Sequence, residues 1–179
     1  MVSLNCHGFN VGSENYLRKL CVDVDVLLLQ EKWLSDCTSH RLKCISDEFV
    51  YYHSSAMEDN ICNKFMSGRP FGGTAVLINK RLAGACRRVV LVTDNPRITA
   101  ICLSLEGNAH VIISSVHMPW CDRSVDHAVE YQASVGCMQS VIDRHMWVVL
   151  FYLEVILMFP KAAAISAVNL LVISVKLTI

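Results

Sequence analysis

The chain has 179 residues, enough for one domain and short for two. At 53% hydrophobic and 18% charged it is too apolar for a disordered chain and has the mass to build a core. Its formal net charge of zero argues against a strong non-specific grip on nucleic-acid phosphates, while leaving room for a local basic patch.

Taken in chain order, residues 2–6 (VSLNC) form a short apolar run that Gly8 and Gly12 break. Residues 13–22 suit a helix that Ser13 can cap, with Tyr16, Leu17 and Leu20 on one face. Residues 24–30 (VDVLLLQ) are a nearly continuous apolar run, the pattern of a buried strand, so the opening has βαβ order. A second helix is expected at 35–46 and a strand at 49–53. The polar stretch 54–70 is predicted as a loop.

A strand then starts at a glycine pair, GGTAVLIN (72–79), and three more are expected at 87–93, 97–105 and 109–116. Glu106-Gly107-Asn108 suits the hairpin turn between the last two. Pro119 ends the strand series. Residues 124–144 carry a long helical pattern, with Val125, Ala128, Val129, Gln132, Val135, Met138 and Val141 on one face. Residues 146–159 are almost wholly apolar, and a second apolar run follows Pro160-Lys161. Glu154 and Pro160-Lys161 divide this region, so neither half reads as a membrane span.

Nine cysteines, an odd number with no CxxC pair, and a start (MVSLNCHGF) without a basic-then-apolar leader predict free thiols in an intracellular protein, nuclear or cytoplasmic, that is not secreted. Cys37, His40 and Cys44 have zinc-like spacing but no second ligand pair, and the same spacing suits an ordinary packed helix face. No Walker loop, GxGxxG, GxSxG or HExxH is present. Cys121 lies near His117, yet nothing supplies the oriented base that a thiol nucleophile needs. Lys80, Arg81, Arg87 and Arg88 form a basic cluster, either a patch toward nucleic acid or a charged strand edge that discourages pairing.

The sharpest chemical signal is DVDVLLLQEKW at 23–33. A carboxylate at the C-terminal tip of a buried strand stands where α/β sheets place their ligands, which makes Glu31 a candidate ligand for a hard cation. On position alone, a solvated strand-end glutamate is the commoner case. Asn5 ends the preceding strand and would stand beside Glu31 if the two strands are parallel neighbours. Its alternative is an Asx turn before Gly8.

SLNCHGF, DVDVLLLQEKW, RPFGGTAVLIN, RITAICLSL and VIISSVHMPW, in that order, resemble the endonuclease/exonuclease/phosphatase superfamily. The resemblance is nearest to the endonuclease domains of non-LTR retrotransposons and their domesticated relatives, and it covers residues 2 to about 150. It implies an α+β, DNase I-like fold of two packed sheets flanked by helices. It also implies an Mg²⁺ site at Asn5 and Glu31, and water attacking a phosphodiester, DNA being the implied substrate. In the family an Asp is the general base, and a His paired with another Asp stabilises the phosphate. Two departures follow. His117 stands where the family commonly has a phosphate-contacting Tyr, and a histidine can still donate there. The GDxN and Ser-Asp-His motifs are absent after WVVL (147–150). The resemblance therefore implies 1–150 as the front of such a domain, with the second sheet incomplete and 151–179 an apolar tail unlike the family. The expectation is a phosphodiesterase inactive as written. The alternative is a non-catalytic module that binds a protein partner through an exposed apolar face.

Overall fold

A computed structural model describes residues 1–62, 65–91, 93–106, 110–119, 125–145, 150–156 and 167–172. Cys121 and most of the predicted turn at Glu106-Gly107-Asn108 lie outside them.

Strand β1 (Val2–Asn5) leads into helix α1 (Val11–Leu20), and β2 (Val26–Gln30) follows. The helix starts earlier than its apolar pattern suggests because Asn10, not Ser13, is the N-cap. The Asn10 side chain accepts from the Gly12 and Ser13 amides (2.8 and 3.1 Å), and Ser13 Oγ accepts from the Asn10 amide (2.9 Å). The expected helix at 35–46 is a 3₁₀ helix, Asp36–Cys44. Next comes β3 (Phe49–Ser54). The stretch predicted as a loop holds a 3₁₀ turn at Glu58–Asn60 and a small ladder of β4 (Ile61–Cys62) with β5 (Phe65–Met66). Strand β6 (Thr74–Asn79), a one-turn α2 (Lys80–Ala83), β7 (Cys86–Arg88), β8 (Ile98–Ser104) and β9 (His110–Val116) precede the long helix α3 (Val125–Arg144). Two strands follow, β10 (Leu150–Ile156) and β11 (Ala167–Val172).

Among the described residues the strands build two main sheets. The first has the order β1-β2-β6-β3, with β1 parallel to β2 and the other pairs antiparallel. The second has the order β11-β10-β9-β8-β7, with β10 parallel to β9. Alternation along each strand sorts the side chains into layers. Leu27, Leu29, Ala75 and Leu77 face outward under α1 and the 3₁₀ helix, packed with Leu17, Leu34 and Leu42. Val26, Leu28, Val76 and Ile78 face inward against Ile101, Leu103 and Ile113 of the second sheet. The outer face of that sheet, with Ile98, Ala100, Cys102 and Ile112, is covered by Cys137 and Val141 of α3. Helix, sheet, sheet, helix is thus an α+β sandwich, DNase I-like in architecture. No helix among the described residues is long and apolar enough to cross a membrane.

Candidate active site at the polar end of the sandwich

The ladder registers align one row of residues across each sheet. Asn5 pairs with Gln30, Gln30 with Thr74, and Thr74 with Ser54. In the second sheet Thr99 pairs with Ser115, and the backbone of Glu154 stands in register with Ser115. Going along β2, the inward positions are Val26, Leu28 and then Gln30, so the layer between the sheets is apolar at one end and polar at the other.

The polar row is bonded across the two sheets. Gln30 is completely buried, and its Nε2 donates to Ser115 Oγ and Ser3 Oγ, both at 3.0 Å. Ser115 Oγ donates to the Leu29 carbonyl (2.9 Å). Thr74 and Thr99 hydroxyls meet at 2.8 Å, Thr99 Oγ1 donates to Ser54 Oγ (3.1 Å), and Arg88 Nη2 donates to the same oxygen (3.1 Å). A buried hydroxyl or amide without a partner would cost about 1–3 kcal/mol, so this network holds the sheets in one register.

Directly beyond that row, the segment 30–33 is held on both sides. Its carbonyls accept from Cys6, Gly8 and Phe9 (2.8, 2.8 and 2.9 Å), and the Trp33 amide donates to Gly72 O (3.0 Å). The clamp keeps three non-glycine residues in left-handed backbone: His7 (φ 45°), Glu31 (φ 49°) and Trp33 (φ 53°). Such strain, roughly 1–3 kcal/mol per residue, persists where surrounding bonds over-determine it.

The clamp aims Glu31 between two imidazoles. His7 Nδ1 lies 3.1 Å from Glu31 Oε2, and His117 Nε2 lies 3.1 Å from Glu31 Oε1. His117 Nε2 makes no other polar contact among the described residues. The His117 side chain is 11% exposed, and its backbone amide is tied to Arg97 O (2.9 Å). The contact with His117 holds the Glu31 carboxyl below its usual range against the opposing pull of burial, and the charge of His7 and the Asn5 amide act in the same direction. Asn5 Oδ1 accepts from the His7 amide (3.0 Å), closing the Asx turn.

Asn5, Glu31 and His117, each singled out by the sequence, therefore meet at one end of the sandwich. His7 joins them without having been expected, while the neighbouring Lys32 turns its ammonium away, toward the Leu34 carbonyl. Lys32 is wholly buried, donates to the Leu34 carbonyl (2.5 Å), and is pushed down to about 8 chiefly by burial. Cys6, beneath the site, is pushed up to about 12 by burial and the Glu31 charge, which favours its protonated thiol. Elsewhere Cys37 and Cys44 are exposed, with His40 Nδ1 3.0 Å from the Cys37 carbonyl. The basic cluster is partly committed, because Arg81 pairs with Asp25 (2.9 and 2.5 Å) and Arg88 with Ser54. A cavity of about 560 Å³ lies between Lys43, Phe49 and Lys80, at the opposite end of β3 from this site.

The donors present fit a hard divalent cation in kind. Mg²⁺ takes one or two carboxylates and completes its shell with water and phosphate oxygen; the ionised Glu31 carboxylate is such a start, while Asn5 Oδ1 is engaged by the His7 amide and would have to turn to join it. Among the described residues no three of His, Cys, Asp and Glu form a protein cage.

No protein-family model matches the sequence, and no curated protein matches it. Solved structures do match in shape. The catalytic domain of APE2 from Xenopus laevis is 11% identical at a TM-score of 0.58, the match covering 88% of this chain and 57% of that one. The 3′ phosphatase NExo from Neisseria, bound to a product DNA hairpin, is 14% identical at a TM-score of 0.53, covering 86% and 55%. The human Nocturnin catalytic domain with a bound sulfate is 12% identical at a TM-score of 0.51, covering 80% and 56%. The chain thus spans a little over half the length of these structures. Its two-sheet sandwich has the fold of these structures.

Proposed function

We propose that this domain descends from phosphodiester hydrolases of the DNA-endonuclease type, retroelement-like in its motifs, and that Asn5, Glu31 and His117 form the phosphate-facing half of its site. The observation that carries this reading is the meeting of an ionised Glu31, the Asn5 amide and a buried His117 Nε2, 3.1 Å from the carboxylate, at one sheet end. Fold likeness to nucleases and phosphatases supports it.

Asn5 and Glu31 would hold Mg²⁺, which when bound neutralises charge on the phosphate and the departing oxygen. Glu31 supplies the anionic oxygen, and its depressed pKa keeps it ionised at neutral pH. Gln30, locked between the sheets, positions the segment that carries Glu31. His117 Nε2 would turn from Glu31 to donate to a phosphate oxygen. The family-like portion is 1–150, and 151–179 supplies β10 and β11 from a sequence unlike the family. Because the sequence holds neither GDxN nor Ser-Asp-His, we assign these 179 residues the binding part of the reaction and little turnover.

The test pairs calorimetric titration of Mg²⁺ with incubation of plasmid and abasic duplex. We expect Mg²⁺ binding that Glu31→Ala abolishes and nicking at background. Nicking that vanishes in Glu31→Ala would uphold the site but refute the weak turnover. Identical Mg²⁺ titrations for wild type and Glu31→Ala would remove the site itself.

A further inference from the structure

Trp33 lies two residues beyond Glu31, and the proposed phosphate chemistry gives it no role. Its ring packs on one side against Gly8, where an added Cβ would come within 2.4 Å of Cε3 and 2.9 Å of Cζ3. Its edge meets the His7 imidazole, centroids 6.4 Å apart and planes at 74°. The ring also lines a mostly apolar cavity of about 340 Å³, together with Leu34, Arg41, Met57, Ile61 and Pro70. That volume is at the small end of ligand pockets. Trp33 is 36% exposed, and Phe71, which precedes the Gly72 whose carbonyl holds the Trp33 amide, is 45% exposed. A tryptophan serving only the core would be covered. This one is fixed in a strained backbone (φ 53°) with part of its ring in the open.

We propose that Trp33 is a stacking platform for one unpaired nucleobase, the base flanking the phosphate that sits at Glu31. The occupant follows from continuity with the site. His7 touches both the Glu31 carboxylate and the Trp33 ring, so a nucleotide whose phosphate a cation bridges to the carboxylate would carry its base toward the ring. An aromatic face takes any base, which suits a chain of zero net charge that must gain affinity from something other than phosphate contacts. Arg41, held over the Phe9 ring at 5.1 Å, puts a planar cation on the cavity wall where it can meet a base edge. The proposal rests on the phosphodiesterase reading above.

The experiment measures binding of the full chain by fluorescence anisotropy at low ionic strength with Mg²⁺. The two probes are a short labelled single-stranded DNA and an equally long backbone in which every base is replaced by hydrogen. We expect the base-bearing strand to bind about tenfold more tightly. Trp33→Ala and Trp33→Leu abolish that preference, and Trp33→Phe keeps most of it. The leucine variant retains apolar bulk without a π face, so it reads the platform even if the alanine variant fails to fold. Equal affinity of the wild type for both strands, or an unchanged preference in Trp33→Leu, overturns the proposal. If neither strand binds, the platform also falls, and the Mg²⁺ titration of wild type against Glu31→Ala shows separately whether the cation site stands.

Discussion

At the scale of single residues, the site depends on backbone that most side chains avoid. Gly8 has φ +90° and no room for a Cβ beside the Trp33 ring. Gly8→Ala therefore combines a steric clash with left-handed strain, and we expect a loss of roughly 2–4 kcal/mol in urea denaturation. Adding Trp33→Ala should recover only the steric part, leaving the double variant below the Trp33→Ala single variant. His53 gives a second prediction. Burial and the charge of Lys32 lower its pKa, and Nδ1 has no hydrogen-bond partner among the described residues. An unfolded chain protonates His53 near 6.5, while the folded one does so only at lower pH. Below 6.5 the unfolded state thus binds more protons, and stability falls as pH falls through that window. His53→Gln should flatten that part of the stability–pH curve and leave it unchanged above 7. None of this was legible in the sequence. Gly8 reads there as a strand breaker and His53 as a strand residue, because left-handed φ and orphaned nitrogens depend on neighbours distant in the chain.

At the scale of elements, strands were the most legible. The runs at 24–30, 72–79 and 109–116 match β2, β6 and β9 to within about two residues, since buried strands leave a continuous apolar signature. Helix starts were less so, because Asn10 caps through its side chain while the apolar pattern begins later. The 54–70 stretch hid β4 and β5, whose two-residue length leaves no periodicity to detect. For the site, Asn5 and Glu31 could be placed together from strand ends alone. Gln30 was read only as the neighbour of Glu31 in its motif, and its partners Ser54, Thr74, Thr99 and Ser115 were missed, although each occupies the inward position of its strand nearest the site. What joins them is register between strands, which no single run contains. Gln30 and Ser115 are the link between sheets. We expect Gln30→Leu and Ser115→Ala to cost about 1–3 kcal/mol each, with less than additive loss in the double variant, as measured by a denaturation cycle.

At the scale of the whole molecule, the two sheets are joined by unlike means at their two ends. Around Val26, Ile78 and Leu103 they meet through hydrocarbon, and around Gln30, Thr74 and Thr99 through hydroxyls and an amide. Parting the first contact exposes apolar surface at about 25 cal/mol per Å², whereas parting the second exchanges protein hydrogen bonds for those of water. The sandwich therefore behaves as a peg hinged at its apolar end, and its cheapest opening motion hydrates the end that carries Glu31 and His117. Native-state hydrogen exchange should register this as a gradient along β2, with the Gln30 amide exchanging faster than that of Leu28 although both lie in the same ladder. Uniform protection along the strand would show that the sheets separate only as one body. Breathing of this kind would let water reach the floor of the site without unfolding either sheet.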